Sequence, residues 1–140
     1  MRLHKAFMLP ALVLLALASA GCGLILVAGG AAAGGLGVVA YLEGNLEAMD
    51  DVAFDKAWKA ARAGLEELKY TITKEDKGPT SASLIAHGAK DERVEVRLSP
   101  TSAKTTKITV RVGMMGDKGK SQFILDTIRG HYPKDASSKN

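Results

Sequence analysis

The sequence predicts an α+β fold in which an antiparallel sheet of four to five strands carries two helices on one face. Some segments alternate apolar and polar residues with the period of a strand, and two others repeat apolar residues with the period of a helix. Short turns between the strand segments favour an antiparallel meander. An apolar sheet face must be covered, and two amphipathic helices are available to cover it. The predicted order is β-α-β-β-β-β-α.

The first predicted strand, 42–50, places Leu46 and Ala48 on one face. A strongly amphipathic helix follows, whose apolar stripe lies opposite a charged face. The stripe consists of Phe54, Ala57, Trp58, Ala61, Leu65 and Leu68. Gly64 costs this helix about 1 kcal/mol relative to alanine. We therefore expect Gly64 to mark a close approach of the helix to the sheet.

Four further strands are separated by turn residues. They are predicted at 70–74, 81–86, 93–98 and 106–112. Asp117 is a suitable N-cap for a second helix, which Gly130 and Pro133 end. The apolar stripe of this helix consists of Ile124, Leu125, Ile128 and Tyr132. The folded domain is thus predicted over 41–132, followed by a polar tail, 133–140, that we expect to be disordered.

The polar face of the last two strands has four cations and is a candidate partner-binding face. These are Arg93, Arg97, Lys107 and Arg111. Anionic lipid or the carboxylates of the cell wall would suit such a face. Glu95 lies among the cations, however, and favours ion pairing across the strands.

The turn between the last strand and the last helix, 113–116, holds two methionines between two glycines. Glycine at such positions indicates a positive φ or close packing. Two interpretations remain open for the methionines. Either they pack into the core, or they form a small, adaptable apolar contact on the surface.

The first residues of the chain have the pattern of a secretion signal. A short basic segment precedes the apolar run 6–18, and small residues then lead into Cys22, the only cysteine. This arrangement is typical of a lipobox, although Ser19 stands where the pattern prefers leucine. We expect the signal peptide, 1–21, to be removed and Cys22 to receive a diacylglycerol and an N-acyl lipid.

Lipid on Cys22 would anchor the mature protein, since each buried methylene contributes about 0.8 kcal/mol. Gly23 occupies the position where retention in the inner membrane usually calls for aspartate. The sequence therefore favours the outer membrane, with the domain facing the periplasm, over the inner membrane.

The segment 22–40 is rich in glycine and alanine and has no charged side chain. Gly30 and Gly34 have the small-xxx-small spacing that lets helices approach closely in lipid. We predict a membrane-associated helix here, with a flexible tether as the alternative. Because 6–42 has no formal charge before processing, an uncleaved membrane protein that oligomerises through a glycine-zipper helix is a further alternative.

Composition and motifs exclude several classes of function. The formal net charge of +4 is dispersed along the chain, which argues against a nucleic-acid partner. His87 and His131 lack metal-ligand spacing, so we expect no metal and no cofactor besides the lipid. No common catalytic motif is present, and we expect no enzyme. The remaining enzymatic alternative, a small periplasmic hydrolase using His87, requires a pocket with a carboxylate beside that histidine.

Several segments together resemble a family of small bacterial lipoproteins of unknown function, the domain-of-unknown-function family numbered 3568. The similarity includes Cys22 with its glycine-rich continuation, 41–44, the start of the 54–61 helix, and RVGMMGDKGKSQFIL over 111–125. It spans nearly the whole mature chain and implies location and fold. No catalytic residue follows from it, because the family has no established activity. We therefore expect a lipid-anchored envelope protein that binds a partner, such as another envelope protein, or has a structural role.

Overall fold

The computed structural model describes residues 36–134, which form a six-stranded antiparallel sheet with two α-helices on one face. In chain order the elements are β1 Leu36–Leu42, β2 Asn45–Asp50, α1 Phe54–Glu67, β3 Thr71–Lys77, β4 Ala82–His87, a 3-10 turn Ala89–Asp91, β5 Arg93–Pro100, β6 Thr106–Val112 and α2 Lys118–Gly130. Across the sheet the order is β1-β2-β6-β5-β4-β3. The predicted α+β class is confirmed.

The strand count differs from the prediction because the segment 42–50 is a hairpin rather than one strand. Glu43 and Gly44 both have positive φ, 51° and 82°, as in the two-residue turn that suits the twist of a hairpin. The turn at Glu43 and Gly44 separates β1 from β2, so the observed order is β-β-α-β-β-β-β-α. The alternating pattern predicted β2 but did not predict β1 as a separate strand.

The folded domain also begins earlier than the predicted boundary at residue 41. Residues 36–40 belong to β1, where Val39 pairs with Ala48, so the prediction of a helix is wrong for these residues. A short apolar run fits a buried strand and a helix equally well, and only the pairing with β2 decides between them. Neither α-helix within 36–134 is long and apolar enough to cross a membrane.

Several predictions concern other parts of the chain. The predicted signal peptide, the predicted lipidation site Cys22 and most of the glycine-rich segment lie in 1–35, and most of the predicted disordered tail lies in 135–140. These ranges are outside the described residues.

The core lies between the helices and one face of the sheet, which we call the inner face. Alternate residues of the four central strands point into it, as the predicted periodicity requires. Its largest fully buried side chains include Leu46, Leu65, Leu84, Leu98, Ile108, Ile124, Leu125 and Ile128. Trp58 packs in the same cluster from α1, which agrees with its position in the predicted stripe.

Gly64 marks the place where the two helices touch. A Cβ added there would lie 3.0 Å from Cγ1 of Ile128 and 3.2 Å from the backbone nitrogen of that residue. The expected close approach is therefore to α2, and the prediction of an approach to the sheet is wrong. Helical periodicity identifies the buried stripe but not the neighbour that covers each position on it.

Candidate partner-binding face of the sheet

The sheet face opposite the helices, which we call the outer face, is polar at its centre. Thr109 lies in the middle, opposite Glu47 of β2 on one side and Arg97 of β5 on the other. Cross-strand partners share a face, so the register defines which side chains lie together. All four predicted cations, Arg93, Arg97, Lys107 and Arg111, are on this face, interleaved with Glu47, Glu95, Ser83, Ser99 and Thr109.

Two of the cations flank one carboxylate along β5. An oxygen of Glu95 lies 3.3 Å from Nε of Arg97, and the other lies 3.6 Å from Nη2 of Arg93. The prediction that Glu95 pairs across the strands is wrong, although Arg111 is directly opposite it in register. Residues two apart on a strand share a face, and both arginines are long enough to reach back to Glu95.

Lys107 of β6 forms an ion pair with Glu47 of β2, in which Nζ lies 2.8 Å from Oε2. Strands β2, β5 and β6 thus contribute four cations and two carboxylates to the outer face, an excess of two positive charges. The paired side chains remain partly exposed, and such ion pairs typically contribute only about 0–1 kcal/mol. A partner's carboxylates could therefore replace the internal ones at little cost.

Arg111 has a different role from the other three cations. Its guanidinium donates a hydrogen bond to the carbonyl oxygen of Met114, and within residues 36–134 no carboxylate lies in ion-pair distance of it. The side chain thereby supports the turn between β6 and α2. Met114 and Met115 in this turn are 88% and 89% exposed, so the interpretation that they pack into the core is wrong.

Glycine backbones hold this methionine turn in place. Gly116 has φ +81° and packs directly against Gly44 of the β1–β2 hairpin. A Cβ on Gly44 would lie 2.5 Å from the carbonyl oxygen of Met115, well inside van der Waals contact. The two turns therefore touch backbone to backbone, and the methionine side chains project away from the domain.

A shallow depression of about 160 Å3 lies toward the β3 side of the outer face. Arg97, Ser83, Ser99 and Asp76 are among the residues that line it. Hydroxyl groups and a guanidinium can together bind an oxygen-rich group, although the carboxylate of Asp76 in the same lining disfavours an anion. The depression thus places hydrogen-bonding groups beside one of the predicted cations.

The two histidines lie apart from this depression and from each other. Nδ1 of His87 is 3.2 Å from the hydroxyl of Thr73, and its Nε2 is 3.9 Å from a carboxylate oxygen of Asp91. Nε2 of His131 is 2.5 Å from a carboxylate oxygen of Glu67. Within residues 36–134, no three histidine, cysteine or acidic side chains are grouped to hold a metal ion.

Sequence reasoning missed a buried polar cluster formed by Asp50, Arg129 and Tyr132. Asp50 is fully buried and accepts two hydrogen bonds from Arg129, with N···O distances of 3.0 and 2.6 Å. The hydroxyl of Tyr132 donates a third, at 2.6 Å. Asp50 and Asp51 are adjacent carboxylates, which by themselves are typical of exposed surface, and only the alternation from Leu46 through Ala48 indicates that Asp50 points inward.

The cluster changes the acidity of its members. Burial raises the pKa of the Tyr132 phenol, and the charge and hydrogen bond of Asp50 raise it further. Burial alone would lower the pKa of the Arg129 guanidinium, but the hydrogen bond and charge of Asp50 outweigh it, so the pKa is raised. The tyrosine therefore stays protonated in the folded state at pH values where an unfolded tyrosine ionises.

Replacing Tyr132 by phenylalanine is expected to change how stability depends on alkaline pH. A raised folded pKa stabilises the protein below the unfolded value of about 10, and this contribution is lost as the pH rises above it. We expect Tyr132→Phe to lower the unfolding free energy at pH 7 by about 1.5–3 kcal/mol. Above pH 10, the unfolding free energy of the variant should decline less steeply than that of the unmodified protein. Urea denaturation at a series of pH values measures both effects.

The pKa of Tyr70 is raised too, by burial and by its hydrogen bond to Glu92, so Tyr70→Phe is the matched control. Its loss at pH 7 should be smaller, because Tyr70 bonds a carboxylate at 3.2 Å near the surface. An alkaline slope for Tyr132→Phe equal to that of the unmodified protein would contradict the assignment.

Comparison with known proteins places this arrangement in a family. A family profile described as "Protein of unknown function (DUF3568)" matches residues 5–131, which end just beyond α2. No match was found among curated proteins. The profile match covers most of the chain and includes Cys22, all six strands and both helices. The chain therefore belongs to the DUF3568 family of proteins of unknown function.

Proposed function

We propose that this protein is a lipid-anchored component of the bacterial cell envelope that binds an acidic envelope protein through the outer face of its sheet. The observation that carries the binding role is the contrast between the two sheet faces. Both α-helices cover the inner face, while no element within residues 36–134 covers the outer face, which has an excess of two positive charges across β2, β5 and β6.

The anchoring part of the proposal is supported by the leader. A basic start, an apolar run and small residues before Cys22 agree on one processing site. The family match begins at residue 5, so the leader belongs to the segment that the family shares. Lipid on Cys22, with the domain in the periplasm at the outer membrane, would present the folded part to other envelope proteins.

The chemistry of the outer face favours a partner that presents carboxylates. Arg93 and Arg97 lie on either side of the Glu95 carboxylate, which supports the proposal that their spacing suits such a group. The serines and the threonine nearby add hydrogen-bond donors without adding charge. An acidic surface could exchange with Glu47 and Glu95, and charge attraction would set the orientation of the complex.

Photocrosslinking in living cells tests the binding role. A photoreactive residue at Ser99, on the outer face, is expected to give one discrete adduct with an envelope protein, and one at Lys59, on the exposed face of α1, is not. The double variant Arg93→Ala/Arg97→Ala should lose most of the adduct, because the carboxylate-binding pair is gone. The charge-matched control Lys59→Ala/Lys118→Ala, on the helices, should retain it.

Two results would contradict the binding role. One is equal adduct formation from Ser99 and Lys59. The other is an adduct at Ser99 that survives both the arginine substitutions and raised salt, because an electrostatic contact between exposed charges weakens with ionic strength.

A further inference from the structure

The two edges of the sheet are protected to different degrees. β3, at one edge, carries exposed charges at Lys74, Asp76 and Lys77 and has an irregularity between Ile72 and Lys74. Charged side chains and bulges are the usual means of preventing an edge from pairing with another strand. β1, at the other edge, has no charged residue between Leu36 and Leu42. Its irregularity is at its beginning, which leaves Val39–Leu42 in regular register with β2.

The free edge of β1 offers four backbone groups for pairing. Leu42 and Asn45 close a two-residue hairpin, so this pair exchanges hydrogen bonds within the sheet, and so does the pair of Ala40 with Glu47. The backbone N–H and C=O groups of Val39 and Tyr41 must then point away from β2. Among the described strands, none covers these groups, because β1 ends the sheet.

Exposed apolar side chains lie along the same edge. Val38 is 61% exposed and Leu42 is 59% exposed, among the most exposed large apolar residues between 36 and 134. An uncharged edge strand with apolar side chains is a template for adding a further strand. A further extended strand that pairs with β1 would therefore extend the sheet at this edge.

We propose that β1 pairs antiparallel with β1 of a second copy of this chain, joining two sheets around a two-fold axis at Ala40. In this register Val39 of one copy exchanges both hydrogen bonds with Tyr41 of the other, so all four outward groups of each strand are used. Val38 comes opposite Leu42 of the partner copy, which covers the exposed apolar side chains of both. The strand is thus complementary to itself, as a two-fold interface requires.

The pairing does not depend on the proposed function, although the anchor would favour it. Two copies held at one membrane by Cys22 would be confined to a thin layer, which raises their effective concentration. The outer faces of both copies would remain open, so pairing and partner binding are compatible.

Cysteine crosslinking of the full chain in membranes tests the register. Ala40→Cys is expected to form a reducible dimer under mild oxidation, because residues facing each other at the two-fold axis have Cα atoms about 4.5 Å apart, within disulfide range. Lys74→Cys, on the charged β3 edge, is the matched control and should stay monomeric. The unaltered chain, whose only cysteine is Cys22, gives the background level of crosslinking. Ala40→Cys combined with Cys22→Ser removes the anchor but keeps β1, so it should still crosslink in concentrated detergent solution.

A second variant separates pairing from general stickiness. Adding Leu42→Lys to Ala40→Cys places a charge against Val38 of the partner copy, and crosslinking should fall to the Lys74→Cys level. Adding Met49→Lys instead, on the same face but on β2, should leave crosslinking unchanged. The proposal is overturned if Ala40→Cys crosslinks no more than Lys74→Cys. It is equally overturned if the product contains a different protein, or if Leu42→Lys has no effect.

Discussion

Removing either charged partner of the buried Asp50–Arg129 pair is expected to lower the unfolding free energy by about 3–5 kcal/mol. The Arg129 side chain is only 10% exposed in the unmodified protein. In Asp50→Ala its guanidinium would therefore remain buried without a carboxylate partner. In Arg129→Met the carboxylate of Asp50 would keep only the hydroxyl of Tyr132. Since small domains are typically stable by about 5–15 kcal/mol, either change removes a large part of the total. Urea denaturation at pH 7 measures the loss.

Two controls define what the pair contributes. Asp126 lies 3.8 Å from Arg129 but is exposed, so Asp126→Ala should cost no more than about 1 kcal/mol. The double variant Asp50→Leu/Arg129→Met removes both charges and should be more stable than the sum of the single losses predicts. Single variants no less stable than Asp126→Ala would show that the cluster does not hold α2 to the sheet.

The second large effect is expected at the contact between the two turns. Gly116→Ala combines an unfavourable positive φ with a steric clash, because the new Cβ would lie 2.7 Å from the carbonyl carbon of Gly44 and closer still to its oxygen. We expect a loss of about 2–5 kcal/mol, the sum of about 1–2 kcal/mol for the left-handed backbone conformation and about 1–3 kcal/mol for overpacking. Thermal or urea denaturation of the purified variant measures it.

Gly113 provides a matched control within the same turn. Its φ is +69°, but a Cβ there would meet nothing within 4 Å. Gly113→Ala should therefore show only the conformational cost, about 1–2 kcal/mol. If the two alanine variants were equally stable, the hairpin and the methionine turn would not be in the close contact described here.

Much of the fold could be predicted from periodicity. The strands 93–98 and 106–112 and the buried stripe of α1 were identified because their alternation or helical repeat reflects one covered face. Asp117 was identified as the N-cap of α2 because its side chain is suited to accept from the first turn, and it does so from the Lys120 N–H at 3.0 Å. These features depend on local sequence.

The features that were missed depend on which elements meet. β1 could not be distinguished from the apolar segment before it, because only its pairing with β2 makes it a strand. The partner of Gly64 is a helix far along the chain, and the partner of Asp50 is 79 residues away. The outer face was predicted residue by residue, but its pairing along β5 rather than across to β6 follows from side-chain reach, which spacing does not determine.

The contacts of the four cations determine how the outer face could bind a partner. The four cations share the outer face, yet three of them are already paired with Glu47 or Glu95 and the fourth supports the methionine turn. Binding by this face would therefore be an exchange of carboxylates rather than the filling of an empty basic site. Such an exchange would be reversible and sensitive to salt, which suits a contact between envelope components.

Mass spectrometry of the protein purified from membranes tests the central claim, that a lipid on Cys22 anchors the domain. If the anchor is present, the first peptide begins at Cys22, lacks 1–21, and carries the mass of a diacylglycerol and an N-acyl chain. Recovery of a peptide containing intact Met1 from the membrane form would contradict it and would favour an uncleaved membrane segment instead.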